Sequence, residues 1–425
     1  MSAVTEVTAA TTAAAAPDAP SDRAFTAAQD FLLGTKTFWT TRMFPALRAE
    51  YEERAQQGSA KTGAPEAART VPQHAGTAAA AGAVAVATTL QESTLYQTFA
   101  WLERHLQRMK YSGRYGLVNW HARDRTQLEA SIADAPAVLD PALALPRYYV
   151  SVDIHQHPGG VWGDALAGAV YERGARSTTP LAGQQHSDLH ERFTQQVAHL
   201  FAMGHARNQG TGPGPDAGAA ATRTSASPAS ESPLRAPQAI LDMGCGFGKS
   251  TLPFARTFDN ARIEAIDLAA PCLRLAAKTQ RDAGLHTPRF AQVNAAQTPY
   301  GANEFDLVTS TMLLHELPPP MVENVLRESA RVLKPGGWMV HLDFLPQVQP
   351  RADAFAHFIH YGHGRRNNEP FMEPLAHMDL AVLLAGLGFN EIALEPFEEA
   401  PGALDAANPN WRFPWAMIRA RKAVA

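Results

Sequence analysis

The run Ala239-Ile240-Leu241-Asp242-Met243-Gly244-Cys245-Gly246-Phe247-Gly248-Lys249-Ser250 concentrates residues able to bind a small molecule. An apolar stretch leads into Asp242, three glycines follow at alternate positions, and a helix is expected to begin after them. Glycine tolerates positive φ and lets backbone N–H groups come close to a ligand. An acid ahead of such a turn points to a ligand docked at the carboxyl end of a first strand, near a switch point of the sheet. The alternative is a tight strand-to-helix turn that binds nothing, and three alternate glycines after an acid argue against it. The third glycine comes one residue too early for the dinucleotide pattern G-x-G-x-x-G, which weakens a nicotinamide reading.

Histidines mark two further places. In Asp153-Ile154-His155-Gln156-His157-Pro158-Gly159-Gly160-Val161-Trp162, an extended strand would put Asp153, His155 and His157 on one face. That face would serve as a metal site, as a second wall of a binding pocket, or as a corner with satisfied polar groups, the last two being preferred. His357, His360 and His363 would share a helical face, but they lack a visible carboxylate partner, and Gly362 and Gly364 argue against a regular helix. No metal is expected. Cys245 fills a small-residue slot in the glycine loop, and Cys272 is read as core on a helix.

These residues need elements to hold them. From Gln238 onward strands alternate with helices, the mark of a parallel, doubly wound sheet. Strands are expected near 239–243, 262–267, 289–293, 305–310, 338–344, 391–395 and 413–419, with helices near 250–258, 270–284, 320–333 and 376–387. The fold class is therefore α/β: a Rossmann-like, seven-stranded, mostly parallel sheet. The earlier chain reads as a mainly helical accessory domain with disordered linkers. Residues 1–22 are Ala/Thr/Pro-rich and read as disordered. Residues 23–56 form a helical segment, in which Phe31, Leu32, Phe38, Met43, Phe44 and Leu47 recur at near-helical spacing and Pro45 is expected to break the run. Residues 57–89 read as a linker. An accessory domain spans 90–206, with an amphipathic helix over 92–110, a strand over 148–154 and a helix near 188–203. A Gly/Pro/Ala/Ser/Thr-rich linker spans 207–237, and the main domain runs over 238–425.

The 425 residues include 37 Lys+Arg and 41 Asp+Glu, a formal net charge of −4, which lacks the basic field of a general nucleic-acid binder. Two cysteines cannot build a disulfide framework, and a reducing compartment is the natural reading. The N-terminus has no basic start or long apolar run, so a soluble, cytoplasmic protein without a membrane segment is expected.

The pattern D-x-G-x-G-x-G over Asp242–Gly248 resembles the first motif of the class I S-adenosylmethionine-dependent methyltransferases, of the small-molecule, UbiE/type 11-like kind. Arg262-Ile263-Glu264-Ala265-Ile266-Asp267, Phe305-Asp306-Leu307-Val308-Thr309-Ser310 and Arg331-Val332-Leu333-Lys334-Pro335-Gly336-Gly337 agree with the family in order and distance. The resemblance covers roughly 238–420. It implies S-adenosyl-L-methionine as cofactor, its methionine end held by Asp242, Gly244, Cys245, Gly246 and Gly248. It implies ribose hydroxyls on Asp267 beside Leu268, and adenine near Asn294 and Ala295, where the family usually has Gly-Asp-Ala. Ser310, ending the fourth strand, completes the implied cofactor set. Methyl transfer is an in-line displacement from a sulfonium, for which positioning can supply much of the acceleration. A base is needed only when the acceptor carries a proton. His315 is the leading candidate, against a capping role; Asp343 points toward the acceptor, and His341 fills the sheet. The long segment 345–375 lies where the family builds acceptor pockets, and its aromatic, His and Arg side chains suit a polar or anionic small molecule.

A small-molecule methyltransferase is thus the expected function. A nucleic-acid enzyme of the amino-methylating kind resembles D/N/S-P-P-Y/F after strand four, where this chain has Ser310-Thr311-Met312-Leu313. The alternative is a catalytically silent cofactor-binding protein acting through its N-terminal domain.

Overall fold

Short runs of Ile, Leu, Val and Phe without polar alternation can be buried only when both faces of a strand are covered. The computed structural model describes residues 22–62, 76–177, 187–208, 236–405 and 407–424. It assembles seven such runs into one sheet of order β3-β2-β1-β4-β5-β7-β6. The strands are β1 Ala239–Met243, β2 Arg262–Asp267, β3 Arg289–Gln292, β4 Phe305–Thr311, β5 Leu333–Phe344, β6 Phe389–Pro396 and β7 Trp415–Lys422. Strands β1 to β5 pair in parallel, while β7 runs antiparallel to both β5 and β6. The mostly parallel, Rossmann-like sheet expected from the sequence is the one the chain forms.

Helices cover the sheet. In Pro319–Val332, Val322, Val325, Leu326, Ser329 and Val332 are buried, recurring every three or four residues as an amphipathic face requires. Because strand order reverses between β1 and β4, the turns after these two strands diverge and leave a crevice at their carboxyl ends.

The N-terminal part is mainly helical, as expected, and builds over that crevice. The helices Asp22–Phe38 and Phe44–Thr62 are joined through a π-turn over Trp39–Met43, so Pro45 interrupts nothing; it sits in the first turn of the second helix, where a missing N–H costs little. Trp39 is fully buried, stacks on Phe99 at 4.3 Å and donates its indole N–H to the Phe99 carbonyl at 3.0 Å. Arg48 grips Asp353 through both guanidinium nitrogens at 2.6 and 3.2 Å. The helix Thr94–Tyr111 starts where expected, with the Ser93 hydroxyl accepting from the Tyr96 N–H at 3.0 Å.

Three local expectations need correction. Residues 57–89 are not all linker: Gly76–Leu90 is a helix, and it lies so close to the helix Ala354–Asn367 that a Cβ on Gly82 would stand 2.9 Å from the Ala354 Cβ. The latter helix is regular despite Gly362 and Gly364; a Cβ on Gly362 would meet the Arg366 guanidinium at 2.5 Å, so small residues serve close approach there. The strand expected at 148–154 is a helical turn, Arg147–Val150, followed by a 3-10 turn at Ile154–Gln156. The expected disordered segment 1–22, apart from Asp22, and nearly all of the linker 207–237 lie outside the described residues. Among the described residues no helix is long and apolar enough to cross a membrane.

Candidate active site

The glycine turn is built on β1. Gly244, Gly246 and Gly248 take φ of 68°, 52° and 81°, values that strain side-chain-bearing residues. The Gly244 and Cys245 N–H groups donate to the Ile266 carbonyl at 2.8 and 3.0 Å, anchoring the turn to β2. Gly246 has nothing within 4 Å of where a Cβ would stand, so its backbone faces open space. Gly248 packs on Ala276 and Phe290 instead. At the end of β2, Asp267 accepts from the Gly246 N–H at 2.9 Å and from the Ala269 N–H at 2.7 Å. Burial raises its pKa, and those backbone donors only partly offset this. Asp242 lies behind the turn and accepts from the Ser250 and Thr251 hydroxyls at 3.0 and 2.6 Å. Burial outweighs these bonds and lifts its carboxyl to about 7, and its Oδ1 has no protein partner among the described residues.

Gly244, Cys245, Gly246 and Asp267 line a cavity of about 350 Å³. Its opposite wall comes from the N-terminal helices and the 149–175 region: Lys36, Lys110, Tyr111, Tyr149, His155 and Tyr171. The His155 motif, left between pocket wall and corner by the sequence, lies at this wall. His155 and Gln156 both take left-handed backbone, at φ 54° and 57°. Long-range bonds hold them there: Gln107 donates to the His155 carbonyl at 2.9 Å, and Gln156 donates to the Arg366 carbonyl at 2.7 Å. The His155 ring sits between two acids, Nδ1 at 3.0 Å from Glu369 and Nε2 at 3.2 Å from Glu316, with the Tyr171 hydroxyl 3.3 Å from Nε2. Burial disfavours the imidazolium, but Glu369 and Glu316 outweigh it and lift the pKa to about 9. The ring is therefore a cation at neutral pH. His157 points elsewhere: it packs on Tyr111, and burial pushes its pKa down to about 4.

His315 also lines the cavity, and Asp343 does not. Asp343 is fully buried, accepting from His315 Nδ1 at 2.6 Å and from the Leu314 and Phe344 N–H groups at 2.7 and 2.8 Å. Its carboxylate is thus turned to the chain rather than to the acceptor, contrary to expectation. Burial works against the His315 imidazolium, but Asp343 and Glu316 raise its pKa well above the ordinary value. That bias toward the protonated form makes it poorly suited to be the expected base. His341 fills the sheet, its Nδ1 2.7 Å from the buried Ser310 hydroxyl.

The cofactor set expected from sequence is brought together only in part. Asp242, Gly248, Leu268, Asn294, Ala295 and Ser310 do not line the cavity. The Asn294 Oδ1 is taken by the Ala296 N–H at 2.9 Å in a local turn, as Asn often does. His363, from the expected metal trio, lines the cavity and meets Glu103, which also binds the Arg366 guanidinium. No group of three or more His, Cys, Asp or Glu suited to a metal occurs among the described residues. Sequence reasoning missed Glu103, Glu316, Glu369 and Glu399. Glu103, Gln107 and Lys110 carried a signal: they lie three and four residues apart on the apolar side of Thr94–Tyr111, and all are buried.

Comparison with known proteins agrees with this geometry. Residues 240–337 match a family model described as a methyltransferase domain. An uncharacterized methyltransferase of Synechocystis sp. is 33% identical over 108 residues, covering 25% of this chain and 47% of that one. The ubiquinone/menaquinone biosynthesis C-methyltransferase UbiE of Enterobacter sp. is 32% identical over 125 residues, covering 29% and 49%. This chain thus spans about half the length of these curated relatives. A solved S-adenosylmethionine-dependent methyltransferase from Methanosarcina mazei is 22% identical, with 44% of this chain and 93% of that one covered at a TM-score of 0.33. The segment that matches the methyltransferase-domain model, residues 240–337, holds the glycine turn and strands β1 to β4 of the sheet.

Proposed function

We propose that the chain transfers a methyl group from S-adenosylmethionine to a polar or anionic small molecule bound beneath the N-terminal wall. The observation that carries this reading is that the glycine turn and Asp267 share one cavity with His155, Glu316 and Glu369. The residues present fit the cofactor. The open backbone at Gly246 leaves room for a ligand, and Asp267 keeps acceptor lone pairs for a ribose diol. Gly244, Cys245, Gly246 and Asp267 would hold the cofactor, with Gly248 fixing the turn. When bound, it supplies an electrophilic methyl on a sulfonium.

The chain's own residues do the rest. Tyr149, Tyr171 and Phe247 place aromatic surface on the cavity wall. In this reading His315 and Asp343 are positioning residues, holding Glu316 beside His155. Glu399 lines the same cavity; burial raises it to about 7 against the opposing Trp415 hydrogen bond, so near neutrality it can take a proton from an acceptor that carries one. The net charge of −4 supports a small molecule over a nucleic acid, and two free, buried cysteines support a cytoplasmic setting. The test is incubation of the full chain with methyl-labelled S-adenosylmethionine and a metabolite extract. Labelled product and S-adenosylhomocysteine are expected, both reduced by Glu399→Gln. No turnover across fractionated extracts would refute the assignment.

A further inference from the structure

Tyr171 carries a hydroxyl hydrogen at the meeting of the two cavity walls. It belongs to the helix Ala167–Ser177, which lies so close to the helix Ala270–Asp282 that a Cβ on Gly168 would collide with the Pro271 carbonyl. Its ring meets Phe247 of the glycine turn edge-on at 5.6 Å and stacks on the His155 ring at 5.6 Å. Tyr171 therefore stands between the glycine turn and the N-terminal wall, in the lining of the cavity they share.

The Tyr171 hydroxyl lies 3.3 Å from His155 Nε2. With Glu369 at 3.0 Å from Nδ1 and Glu316 at 3.2 Å from Nε2, both ring nitrogens carry hydrogen, so the ring can only donate. A phenol has one hydrogen to give and accepts at its oxygen. The bond from His155 fills the oxygen and leaves the hydrogen, which no group among the described residues accepts. Burial, with Glu316, Tyr111, Cys272 and Glu369 adding to it, holds the Tyr171 pKa well above the ordinary phenol value, so the hydroxyl keeps that hydrogen at neutral pH. A donor so placed is satisfied by a ligand atom or by water. Glu316 and Glu369 face the same hydroxyl and disfavour a negative charge beside it.

We infer that Tyr171 binds the methyl acceptor: its O–H, oriented by the charged His155 ring, donates to a neutral oxygen of the acceptor, such as a ketone, ester or amide carbonyl. His155 acts through Tyr171 and is a positioning residue. The inference rests on the proposed methyltransferase reading and narrows the acceptor to one that is uncharged where it meets this wall. Both residues precede the segment that matches the methyltransferase-domain model, so the accessory region selects the acceptor while the glycine turn holds the donor.

The test uses the full chain with S-adenosylhomocysteine and three probes of one shape: acetophenone, α-methylstyrene and benzoate. Their ring suits the aromatic lining of Tyr149, Phe247, Phe344 and Phe413. Calorimetry gives the affinities, and infrared difference spectroscopy gives the carbonyl stretch of bound, isotope-labelled acetophenone. Wild type is expected to prefer acetophenone over α-methylstyrene by roughly three- to tenfold, as suits one neutral hydrogen bond, and to bind benzoate more weakly than the ketone. The bound carbonyl should absorb at lower frequency than in hexane. Tyr171→Phe keeps the ring against Phe247 and removes the O–H. The preference and the frequency shift should both vanish, with S-adenosylhomocysteine affinity within about twofold of wild type, which also certifies the fold. His155→Asn tolerates the left-handed turn but is too short to reach the hydroxyl, and it should leave a smaller shift. Equal affinity for ketone and hydrocarbon in wild type, a shift surviving Tyr171→Phe, an unchanged shift in His155→Asn, benzoate binding more tightly than acetophenone, or no ketone binding at millimolar concentration would overturn the inference. The two readings fail separately. A hydrogen-bonded ketone without methyl transfer from any extract removes only the enzymatic reading, while an identified acceptor turned over by Tyr171→Phe at the wild-type KM removes only the Tyr171 assignment.

Discussion

Asp267 shows how one carboxylate organises a binding turn. Its two oxygens tie the Gly246 and Ala269 N–H groups together, so it shapes the glycine loop and still presents lone pairs to the cavity. Its pKa is raised by burial, so a ligand donating hydroxyl hydrogens would find an acceptor that lacks full compensation. Asp267→Ala should weaken S-adenosylmethionine binding by roughly 10- to 100-fold, equivalent to about 1.4–3 kcal/mol for lost charged hydrogen bonds. Calorimetry measures this, and affinity equal to wild type would strip Asp267 of the role. Asp242 is the opposite case: buried behind the turn and bonded to Ser250 and Thr251, it supports the loop from within. The sequence motif named both acids, but only geometry separates the cavity-facing one from the supporting one.

At the scale of elements, the turn around His155 is held in a conformation its own residues do not favour. Its left-handed backbone persists because Gln107, Glu316, Arg366 and Glu369 all reach it from elsewhere. The clamp has a pH signature. The folded pKa of His155, about 9, lies above the unfolded value near 6.5, so its contribution is fully present below about pH 6.5 and is lost as pH rises through 9. The contribution is at most about 3 kcal/mol, because the ring opens on a cavity. His155→Asn should therefore lower stability at pH 6 more than at pH 9.5. Thermal unfolding at both values measures the difference, and an equal loss at each would remove the cationic clamp.

The same region explains what the sequence conveyed and what it hid. Strands β1 and β2 were legible to the residue, because a buried apolar run with an acid at or next to its end has a distinctive composition. Tyr148, Tyr149, Val150 and Val152 looked like a strand for the same compositional reason, yet no strand among the described residues pairs with them, and local bonds such as those from the Tyr149 and Val150 N–H groups to the Pro146 carbonyl, at 3.0 and 3.2 Å, coil the segment into a turn. Asn294 fitted a family position by register, while its side chain satisfies its own turn. Glu316 and Glu369 were invisible as partners of His155 because nothing local links positions so distant in the chain.

Across the whole molecule, the cavity joins two bodies of structure, and the joint is chiefly apolar. Trp39 is its centre, stacked on Phe99, edge-on to Trp411 at 5.2 Å, and one helical turn from Lys36. Phe355 extends the contact beneath Arg48, whose guanidinium lies 4.4 Å from its ring centroid. Since the glycine turn rests on β1 and β2, its geometry does not depend on this joint. Trp39→Ala leaves a large hole in a packed cluster and should cost about 3–5 kcal/mol of stability in the N-terminal helices. Hydrogen exchange should then show Asp22–Phe38 and Thr94–Tyr111 losing protection while β1 and β2 keep theirs, with S-adenosylmethionine affinity within a few-fold of wild type and preference among acceptors lost. Uniform loss of protection across both parts would mean that donor and acceptor walls unfold as one unit, and the division of labour argued from the cavity would fail with it.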